Sequence, residues 1–154
     1  MYDFIDRPVN SLDPGGRFLV WAMRSWVSAM SMRACPASVL GLGFARWRVI
    51  AGLQPFLRTM ALFNRKGLET FHFCALGCNH VSEHEAIIIS LLCSLHDDRP
   101  EVVTDTLGLL VEDDAIGDMI EALATLARVM ETARILPTRG AWLPEPTPRA
   151  GSAG

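Results

Sequence analysis

The sequence has little lysine, few charged residues and no long apolar run that is free of charge. Lys66 is the single lysine among 14 basic residues, a bias toward arginine that is typical of GC-rich bacterial coding sequences. The most apolar stretch, 18–34, is interrupted by Arg24 and follows an acidic segment instead of the positive residues of a signal peptide. A membrane span needs about 18 uninterrupted apolar residues. We therefore expect a cytoplasmic bacterial protein that does not associate with membranes.

The motifs of common catalytic sites are also missing. The sequence contains no G-x-S-x-G, no H-E-x-x-H and no Gly-rich phosphate loop. Residues 80–85 include the residue types of an acid/base site, but Ser82 and Glu85 fit a helix cap better, and His84 fits a solvated first helical turn. These absences favour a protein that is not an enzyme.

The charge is small in total but unevenly distributed. The formal net charge is −3, yet residues 1–80 carry nine basic and four acidic side chains, whereas residues 81–154 carry five and thirteen. This asymmetry favours packing of the two halves against each other. The net negative charge argues against a general binder of nucleic acids or of anionic membranes.

Apolar periodicity predicts an all-α fold, an irregular bundle of about five helices with an ordered loop at 68–81. Half of the residues are hydrophobic, which is enough for the core of one domain. We expect a single helical domain over 15–137, a flexible N-terminal arm over 1–14 and a flexible Pro/Gly-rich tail over 138–154. The predicted helices cover 17–33, 36–66 with a break between Gly52 and Pro55, 83–96, 100–110, and a last segment from 112–114 that Pro137 stops.

The clearest helix start is at Ser82. In the sequence Ser82-Glu83-His84-Glu85, the Ser82 hydroxyl can accept the Glu85 amide while the Glu85 carboxylate accepts the Ser82 amide, which is a capping box. The isoleucines at 87–89 alone would indicate a strand, but the cap and the length favour a helix. Because this helix is nearly all apolar, we expect it in the core.

The densest group of possible metal ligands lies in the loop at 68–81. It consists of His72, Cys74, Cys78 and His80, to which Cys35 could add a further ligand through space. Thiolate and imidazole are the ligands that zinc prefers, and iron is a weaker alternative. The spacing departs from the common C-x2-C knuckle, so a second interpretation stays open, in which the cysteines are buried packing residues and the histidines are polar edge residues. A redox role is less supported, because C-x3-C lacks the C-x-x-C geometry.

The sequence predicts a protein that functions by binding a partner. The first two helices offer more apolar surface than the later helices can cover, so we expect a homodimer or a tight complex with a protein partner through the N-terminal half. The prediction is a non-enzymatic helical interaction or regulatory module. Two alternatives are a small metal-binding protein and an acidic helix-turn-helix-like regulator. The second is disfavoured because its recognition helix would begin with the acidic residues 112–114, which repel phosphate.

Overall fold

A computed structural model describes residues 4–139 of the chain, and over this range the predicted all-α fold is confirmed. Six helices are present, compared with the expected five or so, and no strand occurs within 4–139. The helices are α1 (Pro14–Ser31), α2 (Pro36–Arg46), α3 (Leu53–Lys66), α4 (Glu83–His96), α5 (Pro100–Leu110) and α6 (Ile116–Thr132). None of these helices combines the length and the apolar character that crossing a bilayer requires.

The sixth helix arises because the break in the predicted 36–66 segment is longer than expected and begins earlier. α2 ends at Arg46 and α3 begins at Leu53, so the interruption spans 47–52 and does not fall between Gly52 and Pro55. Pro55 instead lies in the first turn of α3, where its missing N–H has no helical partner to lose.

α4 forms the centre of the core. Eleven of its fourteen residues are buried, and it packs against α1, α5 and α6. The predicted capping box is present, since the Ser82 amide donates to Glu85 Oε2 at 2.9 Å and the Glu85 amide donates back to Ser82 Oγ. α3 packs along α6, and α2 packs on α1 and α3. The nearly all-apolar sequence of α4 therefore determines which helix the others surround.

α2 is attached to the core by only two buried side chains, Leu40 and Phe44. The Phe44 ring meets Phe18 of α1 edge-on, with 4.9 Å between centroids, and lies 5.5 Å from Phe56 of α3. Aromatic contacts of this geometry stabilise by roughly 0.5–1.5 kcal/mol beyond the area they bury. The remaining faces of α2 are left partly or fully exposed.

The N-terminal arm differs from the expectation of a flexible segment. Residues 4–12 run along residues 79–81, where the Asp6 amide donates to the Val81 carbonyl at 3.0 Å and the Val81 amide donates to the Arg7 carbonyl at 2.9 Å. Phe4 and Leu12 are buried as part of the core. Of the tail predicted at 138–154, the part from 140 onward lies outside the described residues, as do residues 1–3.

Four helices end in a left-handed C-cap without glycine. The residues with positive φ at these ends are Arg33 (54°), Arg48 (61°), Asp98 (54°) and Arg134 (61°). At each end the following amide donates to a carbonyl five residues back, as Val49 donates to Phe44 at 2.9 Å. This is the Schellman pattern, in which glycine is the usual residue because a Cβ is strained there.

We predict that Arg33→Gly stabilises the protein by about 0.5–1 kcal/mol, because the relief of left-handed strain exceeds the added entropy of the unfolded chain. Urea denaturation measures the change. The matched control is Arg128→Gly in the body of α6, which should destabilise by about 1 kcal/mol. Equal losses in both variants would show that Arg33 is not strained.

Candidate functional site

Arg24 of α1 is a buried guanidinium that uses all five of its N–H donors. Nε and one terminal nitrogen donate to the two carboxylate oxygens of Glu85 on α4, at 2.7 and 3.1 Å. The remaining three donors bind backbone carbonyls of the loop, those of Ala75, Cys78 and His80. Since arginine carries five donors, none is left unpaired in the core.

Glu85 is fully buried and binds the same loop from the other side. Besides Arg24, Oε1 accepts the Cys74 amide at 3.2 Å, and Oε2 accepts the Ser82 amide at 2.9 Å. The ion pair therefore connects α1 and α4 to the backbone of the segment 74–82. This accounts for an ordered loop that has no helical or strand periodicity of its own.

The pKa values of two groups in this region, and of one thiol outside it, are shifted. Burial opposes the charged form of Arg24, but the hydrogen bond and the charge of Glu85 outweigh it and raise the Arg24 pKa. Burial, a hydrogen bond with Cys78 and the charge of Glu85 raise the pKa of the Cys74 thiol. By contrast, the backbone amide and then the hydroxyl of Ser38 at the start of α2 lower the pKa of the exposed Cys35 thiol.

The predicted metal ligands are only partly brought together. Cys74 and Cys78 are neighbouring half-buried thiols, whereas the side chains of His72 and His80 are exposed. Cys35 is exposed at the N-cap of α2, outside the loop. Within residues 4–139, no three or more His, Cys, Asp or Glu side chains are grouped so that they could hold a metal ion. Binding of zinc or iron by these residues stays a prediction from the sequence.

His84 is buried, which corrects the expectation of a solvated position in the first turn of α4. Its Nδ1 accepts the His72 amide at 2.8 Å, so the ring proton lies on Nε2, which faces Glu69 Oε1 at 3.1 Å. The Phe71 ring packs on the imidazole, with 4.4 Å between centroids. A first-turn side chain is solvated only where nothing covers it, and here residues 69–72 fold over His84.

The segment that covers His84 also forms one wall of a cleft of about 480 Å³ between α1 and α3. Its main apolar lining residues are Trp26, Val27, Met30, Met60, Phe63 and Phe71. Polar groups are contributed by Asn64 and Glu69, among others. The volume falls within the range of small-molecule sites, roughly 300–1,000 Å³.

The cleft has to be interpreted from its own chemistry. No family model, curated protein or solved structure matches this chain. The fold and the cleft together describe an all-α protein with a cleft of mixed polar and apolar lining, one wall of which contacts His84.

We predict that Arg24→Lys destabilises the protein by about 2–3 kcal/mol. Lysine keeps the charge but has three donors for five acceptors, so part-buried carbonyl groups of the loop lose their partners and the carboxylate of Glu85 loses its paired contact. Urea denaturation checks this. Arg58→Lys is the matched control, because Arg58 pairs with Asp118 at the surface, and it should change stability by less than about 0.5 kcal/mol. A small effect in both variants would contradict the role given to Arg24.

We also predict an order of thiol reactivity. Near neutral pH, Cys35 should react first with iodoacetamide, because its lowered pKa leaves more of the nucleophilic thiolate at an exposed site. Cys74 should react later because its pKa is raised, and the buried Cys93 later still. Mass spectrometry of timed digests measures the order. Cys35→Ser should abolish the fast phase, and a fast phase that persisted would contradict the assignment.

Proposed function

We propose that the protein is a non-enzymatic bacterial interaction or regulatory module that binds an apolar small molecule in the cleft between α1, α3 and residues 67–73. The observation that carries the proposal is the cleft itself, about 480 Å³ lined by aromatic and methionine side chains. Removing apolar surface from water there supplies about 25 cal/mol per Å². The proposal places the protein in the cytoplasm, where its four free cysteines stay reduced.

One wall of the cleft is already ordered without a ligand, which favours a ligand-binding role for the cleft over its being a packing defect. Phe71 packs against Phe63 of α3 with 4.6 Å between centroids and the ring planes tilted by 46°, and it also contacts His84. The segment that carries Phe71 is tied to α4 through the Glu69–His84 contact. Little ordering of the wall is then needed on binding, so little affinity is lost. Met30, which is 46% exposed, adds a flexible side chain that can adapt to the shape of a ligand.

The polar groups of the cleft narrow the chemistry of the ligand. Glu69 uses Oε1 for His84, and within residues 4–139 its Oε2 makes no hydrogen bond. The side-chain amide of Asn64 likewise has no hydrogen-bond partner within residues 4–139. The ligand class that fits is an apolar or aromatic body that carries a hydroxyl or amine donor toward Glu69.

Association with a second copy or a protein partner through the N-terminal half remains part of this proposal. Nine large apolar side chains are exposed within residues 4–139, and six of them lie between residues 30 and 50. The apolar faces around Val39 and Leu42 of α2 support such a contact. Trp26 does not contribute to it, because it is buried.

The test uses N-phenyl-1-naphthylamine, an apolar aromatic amine whose fluorescence rises on leaving water. We predict saturable binding with micromolar Kd, together with quenching of tryptophan emission through Trp26. Val27→Trp fills the cleft from α1 and should weaken binding by about tenfold or more, which is about 1.4 kcal/mol.

The matched control is Leu109→Trp, which adds the same ring at an exposed position of α5 outside the cleft. It should leave binding unchanged. Non-saturable binding, or equal effects of both substitutions, would contradict the proposed site. Circular dichroism of each variant verifies that the fold is retained.

A further inference from the structure

Of the exposed arginines that form no ion pair within residues 4–139, five line two clefts. They come from the start of α1, the end of α2 and the C-terminal part of α6: Arg17, Arg46, Arg48, Arg128 and Arg134. None of them forms an ion pair within residues 4–139, whereas Arg58, Lys66 and Arg139 pair with carboxylates of the acidic half. We term this surface the arginine face. It keeps its positive charge although the whole chain is net negative.

The arginine face contains two adjoining clefts, and no acidic residue lines either one. The first, of about 470 Å³, is lined by Arg17, Phe18, Trp21, Gly43, Arg46 and Trp47. The second, of about 570 Å³, holds the other three guanidiniums of the face. Trp47 of the first cleft and Arg48 of the second are neighbours in the sequence, so residues next to each other in the chain line both clefts. One extended anionic ligand could therefore engage both clefts.

Two indole rings line the first cleft. Trp47 is 38% exposed and lies 5.6 Å from Phe18, while the half-buried Trp21 lies 5.9 Å from the same ring. The Trp21 ring occupies the space that Gly43 leaves open, since a Cβ at Gly43 would lie 2.2 Å from it. Packed, partly exposed indoles beside guanidiniums can stack a planar base and neutralise the adjacent phosphate.

Two of the arginines occupy positions that favour glycine. Arg48 and Arg134 both have φ of 61° at helix C-termini. Arginine also stabilises a helix C-terminus through the macrodipole. Arg33 can serve that purpose alone at the end of α1, whereas Arg48 and Arg134 come from different helices and converge on one cleft together with Arg128. Stabilisation of separate helix ends does not explain why these three arginines line the same cleft.

We infer that the arginine face binds single-stranded nucleic acid. A base stacks on an indole of the first cleft, and the phosphates that follow it lie against Arg46 and the three arginines of the second cleft. Single strands fit because their bases are free to enter a concave aromatic site, unlike the stacked bases of a duplex. The surface is independent of the apolar cleft between α1 and α3, so either site can fail without the other.

The experiment measures fluorescence anisotropy of a labelled oligothymidylate of about 12 nucleotides at about 50 mM salt. The expected result is micromolar binding that weakens as salt is raised and that quenches tryptophan emission. Trp47→Leu should weaken binding about tenfold. Arg48→Gly combined with Arg134→Gly should weaken it about tenfold or more and flatten the salt dependence. Glycine suits the left-handed backbone at both positions, so this variant is expected to fold.

Arg33→Gly is the matched control, because it removes the same residue type from the same kind of C-cap outside both clefts, and it should not change binding. Three results would overturn the inference. These are absence of oligonucleotide binding at low salt, equal affinity for a duplex of the same length, and an Arg33→Gly effect as large as that of the double variant. Binding to phosphatidylglycerol vesicles without binding to the oligonucleotide would likewise overturn it in favour of a membrane surface.

Discussion

The buried pair of Arg24 and Glu85 joins α1 and α4 to the backbone of residues 74–82. Every other ion pair within residues 4–139 has at least one exposed partner, whereas both of these side chains lie in the core. Burying two charges costs several kcal/mol per ion, which is tolerated only when the remaining donors and acceptors are satisfied. Here residues 74–82 supply three carbonyls and two amides to them. The pair therefore fixes the backbone of residues 74–82 in addition to joining two opposite charges.

The two proposed sites depend on different parts of this arrangement. The cleft between α1 and α3 needs residues 69–72, because Phe71 and Glu69 form part of its wall and His84 binds this segment. The arginine face needs the start of α1, with Phe18 packed against both indoles, and the C-terminal ends of α2 and α6. Net charge describes neither site, since the acidic side chains of the second half are partly neutralised by Arg58, Lys66 and Arg139.

The sequence predicted those features that depend on interactions within one helix. The capping box at Ser82 and the apolar run of α4 lie within one helix, so both the helix and its burial could be predicted. The partner of Arg24 could not, because Glu85 is 61 residues away and already had a sufficient local role as a capping residue. A lone arginine in an apolar helix was the available signal. The C-caps were missed because arginine and aspartate stand where glycine is expected, and the cleft was missed because three separate segments build it.

The role of the buried pair is tested most directly by the free energy of unfolding of the double variant Arg24→Met with Glu85→Met, measured by urea denaturation. An isolated buried ion pair can often be replaced by apolar side chains at little cost, or even with a gain in stability. We predict a loss of about 3 kcal/mol or more, because the part-buried carbonyls of Ala75, Cys78 and His80 and the amides of Cys74 and Ser82 lose their partners in the protein. A double variant as stable as the wild type would contradict it.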